Sequence, residues 1–297
     1  MASKVVIVGV GLIGGSLARA LKAAGYCSEI VGCGRPGEWL QEALDLQVID
    51  RCEHDIGHAV RDADMVVVAV PLGAMAGVFG AMVGQLPSTA VLTDVGSAKA
   101  SVVAAARAAF GDLPANFVPG HPIAGTEHSG VAASFAELFN QRRVIITPTE
   151  ASAPSAIARV RALWEAAGAQ VDEMSIVHHD EVLAATSHLP HLLAYGLVDT
   201  LVAMDSSEEI FRFAAGGFRD FTRIASSDPL MWRDIFLANR AAVLQVLDLF
   251  TADLQKLRSA IEQGDGEQII ATLRCAKSAR DRFSLNFKDN NYNNNNS

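Results

Sequence analysis

Covalent and ionic devices are scarce in this chain, and each scarcity removes a class of function. Cysteine occurs four times in 297 residues. Cys27, Cys33, Cys52 and Cys275 are scattered, with no CxxC pair, so they read as small buried hydrophobes in a reducing compartment, and no disulfide framework is expected. There is no basic run, and the formal net charge is −9. A nucleic-acid phosphate backbone would find no run of cations to neutralise it, which argues against a nucleic-acid partner. No apolar run reaches the ~18 residues a membrane span requires. The apolar start is interrupted by glycines and runs directly into the fold, unlike a signal peptide. A cytoplasmic protein without a membrane partner is the expectation. What remains is a chain with 50% hydrophobic and 19% charged residues, long enough for two domains with ample core.

The informative stretch comes first. Val5-Val6-Ile7-Val8 runs straight into Gly9-x-Gly11-x-x-Gly14, and then into helix-favouring Leu17-Ala18-Arg19-Ala20-Leu21. That order is strand, tight turn, helix. Gly9 serves the turn, Gly11 lets backbone approach a pyrophosphate, and Gly14 allows the helix to pack closely on the strand. Leu12 and Ile13 complete the loop, and the first helical amides face an anion. A dinucleotide site is expected. In an NAD site an acidic residue ~20 positions beyond the motif holds the adenosine ribose. Here that count lands on Gly34, which has no carboxylate to repel a 2′-phosphate, and Arg35 follows to pair with one. This favours NADP, with NAD the alternative if Arg35 is only a solvated loop residue.

Glu29 to Cys33, Gln47 to Asp50, Ala63 to Pro71 and Ala90 to Asp94 read as further strands separated by helices. The continuous apolar character of Met65 to Val70 within the third of them suits a parallel strand covered on both faces. Ligands of such sheets sit beyond the carboxyl ends of the strands, so Val70, Pro71 and the Gly96-Ser97 loop should line the nicotinamide end. Ser97 reads as a ligand contact, as a cap for the helix starting near Lys99, or as both. Ala115 to Gly120 leads as a strand into His121-Pro122-Ile123-Ala124-Gly125-Thr126-Glu127. A histidine there, followed by a polar, glycine-containing loop, meets a ligand or packs structurally.

Residues 1–174 thus read as an α/β Rossmann-type domain with a doubly wound, mostly parallel sheet. From 175 to 285 the pattern is helical throughout, with breaks at Pro190, Gly216-Gly217, Ser226 to Pro229 and Gly264 to Gly266. Asp228-Pro229 starts a helix. In it Val243, Leu247, Phe250, Leu254, Leu257 and Ile261 form a heptad-like seam. A helix of roughly 34 residues would be ~50 Å long, which points to subunit association, or else to packing within its own chain. His178-His179-Asp180 and His188-x-x-His191 lack a third ligand at a usual spacing, and no metal is expected. Residues 286–297 are a polar, Asn-rich tail expected to be disordered.

Gly9-Val10-Gly11-Leu12-Ile13-Gly14-Gly15-Ser16, Asp94-Val95-Gly96-Ser97-Ala98-Lys99, His121-Pro122-Ile123-Ala124-Gly125-Thr126-Glu127, and Phe218 to Ala225 followed by Ser227-Asp228-Pro229-Leu230-Met231-Trp232 occur in this order. Together they resemble the prephenate/arogenate (cyclohexadienyl) dehydrogenase family over residues 4 to about 283. The resemblance implies a helical domain like the C-terminal domain of 6-phosphogluconate dehydrogenase, through which the family forms homodimers. No mutase-like region precedes residue 4, so a stand-alone form is expected. The implied reaction is oxidative decarboxylation of prephenate or arogenate on the route to tyrosine, with hydride passing to NAD(P)+. By position, His121 takes the proton of the C4 hydroxyl, Ser97 orients that hydroxyl and the nicotinamide, and Arg223 binds a substrate carboxylate. Thr126, Glu127, His188, His191 and Trp232 match positions near the pocket. Glu127 either favours the ammonium of arogenate or pairs with a nearby arginine. Tyrosine is an implied competing inhibitor. The readings set against this one are a β-hydroxyacid or imine reductase with a helical second domain, and a non-catalytic NADP-binding sensor.

Overall fold

The structure, a computed structural model, describes residues 2–126, 128–205 and 207–293. Two compact units make up the chain, one running to Val243 and one from Leu244 on.

In the first unit the strands and helices alternate as β1 (Ala2–Val8), α1 (Leu12–Ala23), β2 (Cys27–Cys33), α2 (Glu38–Asp45), β3 (Arg51–Glu53), α3 (Ile56–Val60), β4 (Met65–Val68), α4 (Met75–Met82), β5 (Val91–Asp94) and α5 (Lys99–Phe110). The five strands form one parallel sheet in the order β3-β2-β1-β4-β5. Successive side chains of a strand point to opposite faces, and β1 and β4 sort accordingly. Val5, Ile7, Met65 and Val67 enter one core with Leu17 and Leu21 of α1. Val6, Val8, Val66 and Val68 enter another with Phe79 of α4 and Val102 of α5. Helices therefore cover both faces, which is why these strands are apolar without alternation.

Two strand expectations need correction. Gln47 takes a left-handed φ of 54° as α2 ends, and Val48 and Ile49 then plug the core instead of extending the ladder. The strand forms only at Arg51–Glu53, where it pairs with β2. Within Ala115 to Gly120, Phe117 alone bridges to Leu92. The next strand, β6 (Gly120–Pro122), pairs antiparallel with β7 (Arg143–Ile146). After α6 (Pro154–Ala166), β8 (Gln170–Glu173) joins β7 in parallel, completing a separate three-stranded sheet. His121 thus lies within a strand, opposite Ile145, and not after one.

Helices follow: α7 (Ile176–Leu183), α8 (Leu189–Val202), α9 (Ser207–Arg212), α10 (Gly216–Thr222) and α11 (Pro229–Ala238). The break expected at Pro190 is a single π-helical turn, Ala184–His188, leading directly into α8. Proline has no amide hydrogen to give the carbonyl four residues back, and the chain widens there instead of stopping. Asp228 caps α11 by accepting from Met231 N at 2.8 Å, with Pro229 in the first turn. The single long helix expected from Pro229 onward is interrupted at Asn239, and α12 (Arg240–Gln263) starts beyond it.

The second unit holds α12 from Leu244 and α13 (Gly266–Asn293), joined across Gly264 at φ +66°. Leu249, Leu254 and Ile261 of α12 are 64%, 53% and 64% exposed. Helix α13 continues to Asn293, into the stretch expected to be disordered, because extending an existing helix avoids the cost of nucleating one. Residues 294–297 lie outside the described residues. Among the described residues, no single helix is long and apolar enough to cross a membrane. All four cysteines are free, and burial pushes the Cys33 thiol up to about 12.

Candidate active site

Strand order reverses between β1 and β4, the point at which such sheets open a crevice beyond their carboxyl ends. Gly9 stands there at φ +96°, and a Cβ on it would lie 2.5 Å from Ala69 O and 3.0 Å from Val70 Cγ1. A Cβ on Gly14 would meet Gly9 O at 2.1 Å, so the start of α1 presses directly on the turn. Around Gly11 a Cβ would find nothing within 4 Å. The two outer glycines are filled by protein and the middle one faces open space, which is the cradle a pyrophosphate needs. Leu12 and Ile13 begin α1, half-buried, and Pro71 precedes a 3₁₀ turn at Leu72–Ala74.

At the end of β2, Gly34 N donates to Glu53 O at 3.1 Å. A Cβ on Gly34 would lie 2.2 Å from Cη2 of Trp39. The indole fills the space that a side chain would take at the position where the count from the glycine loop places an NAD enzyme's acid. Arg35 beside it is exposed.

A buried polar network surrounds His121. Lys99 is fully buried, and its Nζ donates to Asp94 Oδ2 and, at 2.6 Å, to Gly120 O, the carbonyl just before His121. Asp94 also accepts from Gly96 N at 2.7 Å and Gly120 N at 3.2 Å. Removing one partner of such a pair costs about 3–5 kcal/mol, because the other charge is left buried alone. His121 Nδ1 lies 2.9 Å from His179 Nε2, and His179 Nδ1 lies 2.8 Å from Asp180 Oδ1. The Asp180 carboxylate also accepts Lys99 N at 2.7 Å and Ala100 N at 2.9 Å. It caps α5, the role Ser97 was a candidate for. Ser97 makes no capping bond and lies half-buried on the loop between Asp94 and Lys99.

Burial, then the nearby His179, Lys99 and His188, hold the His121 pKa well below the usual histidine value. Burial likewise lowers His179, against the opposing bond to Asp180. Burial also pushes Asp180 upward, but its bonds from His179, Ala100 N and Lys99 N outweigh that and keep it below the ordinary carboxylate range.

Beside this network is a second cluster. Asn239 Nδ2 donates to Asp180 O at 2.8 Å and sits 3.1 Å from His188 Nδ1. His188, at the end of the π turn, is buried and brought down to about 4 by that burial. Its Nε2 and the Nε1 of Trp232 are buried without a hydrogen-bond partner. Trp232 stacks on His191, with ring centroids 3.7 Å apart. His191 is lowered mainly by burial, opposed by the Ser187 carbonyl and reinforced by the Arg223 cation. Arg223 opens the 3₁₀ turn after α10.

The fold therefore gathers His121, His188, His191, Trp232 and Arg223, although only the first lies before residue 174. Thr126 is exposed, its Oγ1 accepting from His128 N. Glu127 lies outside the described residues. Sequence reasoning weighed His179 and Asp180 only as metal ligands, and it missed Lys99, Asp94 and Asn239. The first two had one signal, a lysine and an aspartate at the two ends of the short Val95-Gly96-Ser97-Ala98 stretch; Asn239 had none.

Comparison with known proteins follows these features. Residues 17–173 match the family model described as prephenate dehydrogenase, nucleotide-binding domain, and residues 175–275 match prephenate dehydrogenase, dimerization domain. The chain is 43% identical to a cyclohexadienyl dehydrogenase of Zymomonas mobilis, covering 93% of this chain and 94% of that one. It is 37% identical to a prephenate dehydrogenase of Bacillus subtilis, over 97% of this chain and 78% of the relative. Among solved structures it resembles prephenate dehydrogenase from Aquifex aeolicus in complex with hydroxyphenyl propionate and NAD+. The TM-score is 0.88 at 37% identity, covering 95% of this chain and 98% of that one. Synechocystis arogenate dehydrogenase matches with a TM-score of 0.80 at 26% identity, covering 94% and 99%.

Proposed function

The chain belongs to the prephenate dehydrogenase family, and from that premise we propose that it oxidatively decarboxylates prephenate, arogenate or both, giving 4-hydroxyphenylpyruvate or tyrosine. The observation that carries the reading is His121, held from behind by a buried histidine with its other ring nitrogen left to act.

A bound nicotinamide supplies the hydride acceptor. His121 accepts the proton of the C4 hydroxyl, and Ser97 orients that hydroxyl. Arg223 anchors a substrate carboxylate by charge and fork geometry. Thr126, His188, His191 and Trp232 line the rest of the pocket. Gly9, Gly11, Leu12, Ile13, Gly14, Val70 and Pro71 hold the dinucleotide, and the glycine cradle fits its pyrophosphate. The finer reading is NADP+ over NAD+, supported by Gly34, which brings no carboxylate, and Arg35, which brings a cation. Residues 1–174 form the cofactor domain and 175–285 the substrate and homodimer domain of a cytoplasmic enzyme. Tyrosine, sharing a six-membered ring with both substrates and its amino-acid side chain with arogenate, competes for the same pocket.

One assay tests the reading: NADP+ with prephenate, with arogenate and with neither, followed by the absorbance of the reduced nicotinamide, then repeated with millimolar tyrosine. Reduction with at least one substrate is expected, weakened by tyrosine. Absence of reduction with both substrates rejects the activity, and an unaffected rate rejects the inhibition.

A further inference from the structure

The chemistry proposed above leaves a proton on His121, where a cation is costly. The charged and titratable groups facing that ring are Lys99 of α5 with Asp94 of β5, His179 and Asp180 of α7, and His188 of the π turn. Only the two carboxylates favour a positive charge, and Asp94 is already engaged by Lys99 and two amides. Asp180 remains, reached through His179.

The direction of each hydrogen bond along this path is set from its far end. Asp180 accepts two backbone amides and is ionised, so His179 Nδ1 must donate to it. A neutral His179 then presents a lone pair at Nε2, and His121 Nδ1 must be the donor across the 2.9 Å contact. The lone pair of His121 therefore lies on Nε2, the nitrogen turned away from His179. A parallel argument fixes His188. The carbonyl of Asp180 only accepts, so the Asn239 atom facing it is the amide nitrogen, and His188 Nδ1 must accept from that same nitrogen. The proton of neutral His188 is then on Nε2, and that ring has no lone pair left to act as a base.

We propose that His179 and Asp180 are positioning residues that form a proton relay behind His121, a role that rests on His121 being the base. As hydride leaves C4 for the nicotinamide, the hydroxyl O–H bond breaks and its electron pair becomes the second bond of the carbonyl. Nε2 of His121 gains that proton, and Nδ1 releases its own to His179 Nε2. The positive charge comes to rest on His179, in contact with the Asp180 carboxylate. The step needs no partner beyond substrate and nicotinamide.

The test uses the full-length enzyme with NADP+ bound. Nitrogen NMR of histidine-labelled protein should find His121 protonated on Nδ1 in the wild type. Asp180→Asn lets His179 carry its proton on Nε2, which forces His121 into the other tautomer. Its kcat should fall ~10²- to 10⁴-fold across the pH range, with cofactor affinity changed less than about threefold. His179→Phe should fall comparably. His179→Gln, whose side-chain oxygen accepts from His121 Nδ1, should recover the wild-type tautomer and part of kcat. The relay is overturned if wild-type His121 carries its proton on Nε2, or if His179→Phe keeps kcat and pH profile within about threefold of wild type. The wild-type spectrum and His179→Gln decide the matter even if Asp180→Asn does not fold. An inactive His121→Asn beside an active His179→Phe rejects the relay alone; an active His121→Asn rejects the base, and the relay with it.

Discussion

His121 must be neutral to take a proton, and its surroundings keep it so. Burial is the largest influence, followed by the neighbouring His179, Lys99 and His188, and all push in one direction. A base works in its unprotonated form, so the rate should rise with pH through a value well below the ordinary ~6.5 and stay level across neutrality. Sequence reasoning, blind to burial, would put that limb at the ordinary histidine value. His121→Asn should cost ~10²- to 10⁴-fold in kcat and abolish the limb, while cofactor affinity holds. Steady-state rates from acid to neutral pH check both; a variant with near-native kcat and the same limb would assign the base elsewhere. The search would then pass over His188, whose ring offers a donor, and turn to His191. That ring spends its Nδ1 proton on Ser187 O and keeps a lone pair on Nε2.

Between β2 and α2, local pattern and packing argue for the same residue from different sides. The glycine count from the loop picks out Gly34 for its missing carboxylate, and the fold adds that Trp39 leaves no room for a side chain there. Installing an acid at Gly34 would displace the indole, so Arg35→Ala is the cleaner probe of cofactor choice. It should erase most of the preference in kcat/KM for NADP+ over NAD+, and a native enzyme that prefers NAD+ would reject the assignment. Elements of this kind were legible because their signals are local: β1, the glycine turn and α1 follow one another within the first 23 residues. The network behind His121 was not. Its contacts join residues 58, 81 and 59 positions apart, His121 to His179, Lys99 to Asp180 and Asn239 to Asp180. No periodicity records such pairings. The long helix misled for a related reason: its apolar spacing continues through Asn239, and only the buried tertiary bonds of that side chain mark the interruption.

For the molecule as a whole, the exposed apolar residues of α12 suit a second copy of the chain, as the dimerization-domain match does. Replacing Phe250 and Leu254 with glutamate should give monomer or aggregate in light scattering, and a native protein that is monomeric at micromolar concentration would contradict the dimer. Stability should also depend on pH. His121, His179, His188 and His191 are all lowered by the fold, so the unfolded chain binds protons first as pH falls. Stability is therefore greatest above the unfolded value of about 6.5 and declines below it, for His188 down to about 4. Thermal unfolding across that interval should give a falling Tm, and a flat Tm would mean the four rings are more hydrated than their burial implies. One carboxylate links this stability to the chemistry. Asp180 comes from the segment matched by the second family model, yet it closes the amides of α5 in the first and steadies the partner of His121. It works as an interlock: prising the two segments apart would uncap α5 and strip the base proposed at His121 of its support in a single motion, so a chain opened at that joint should be inactive.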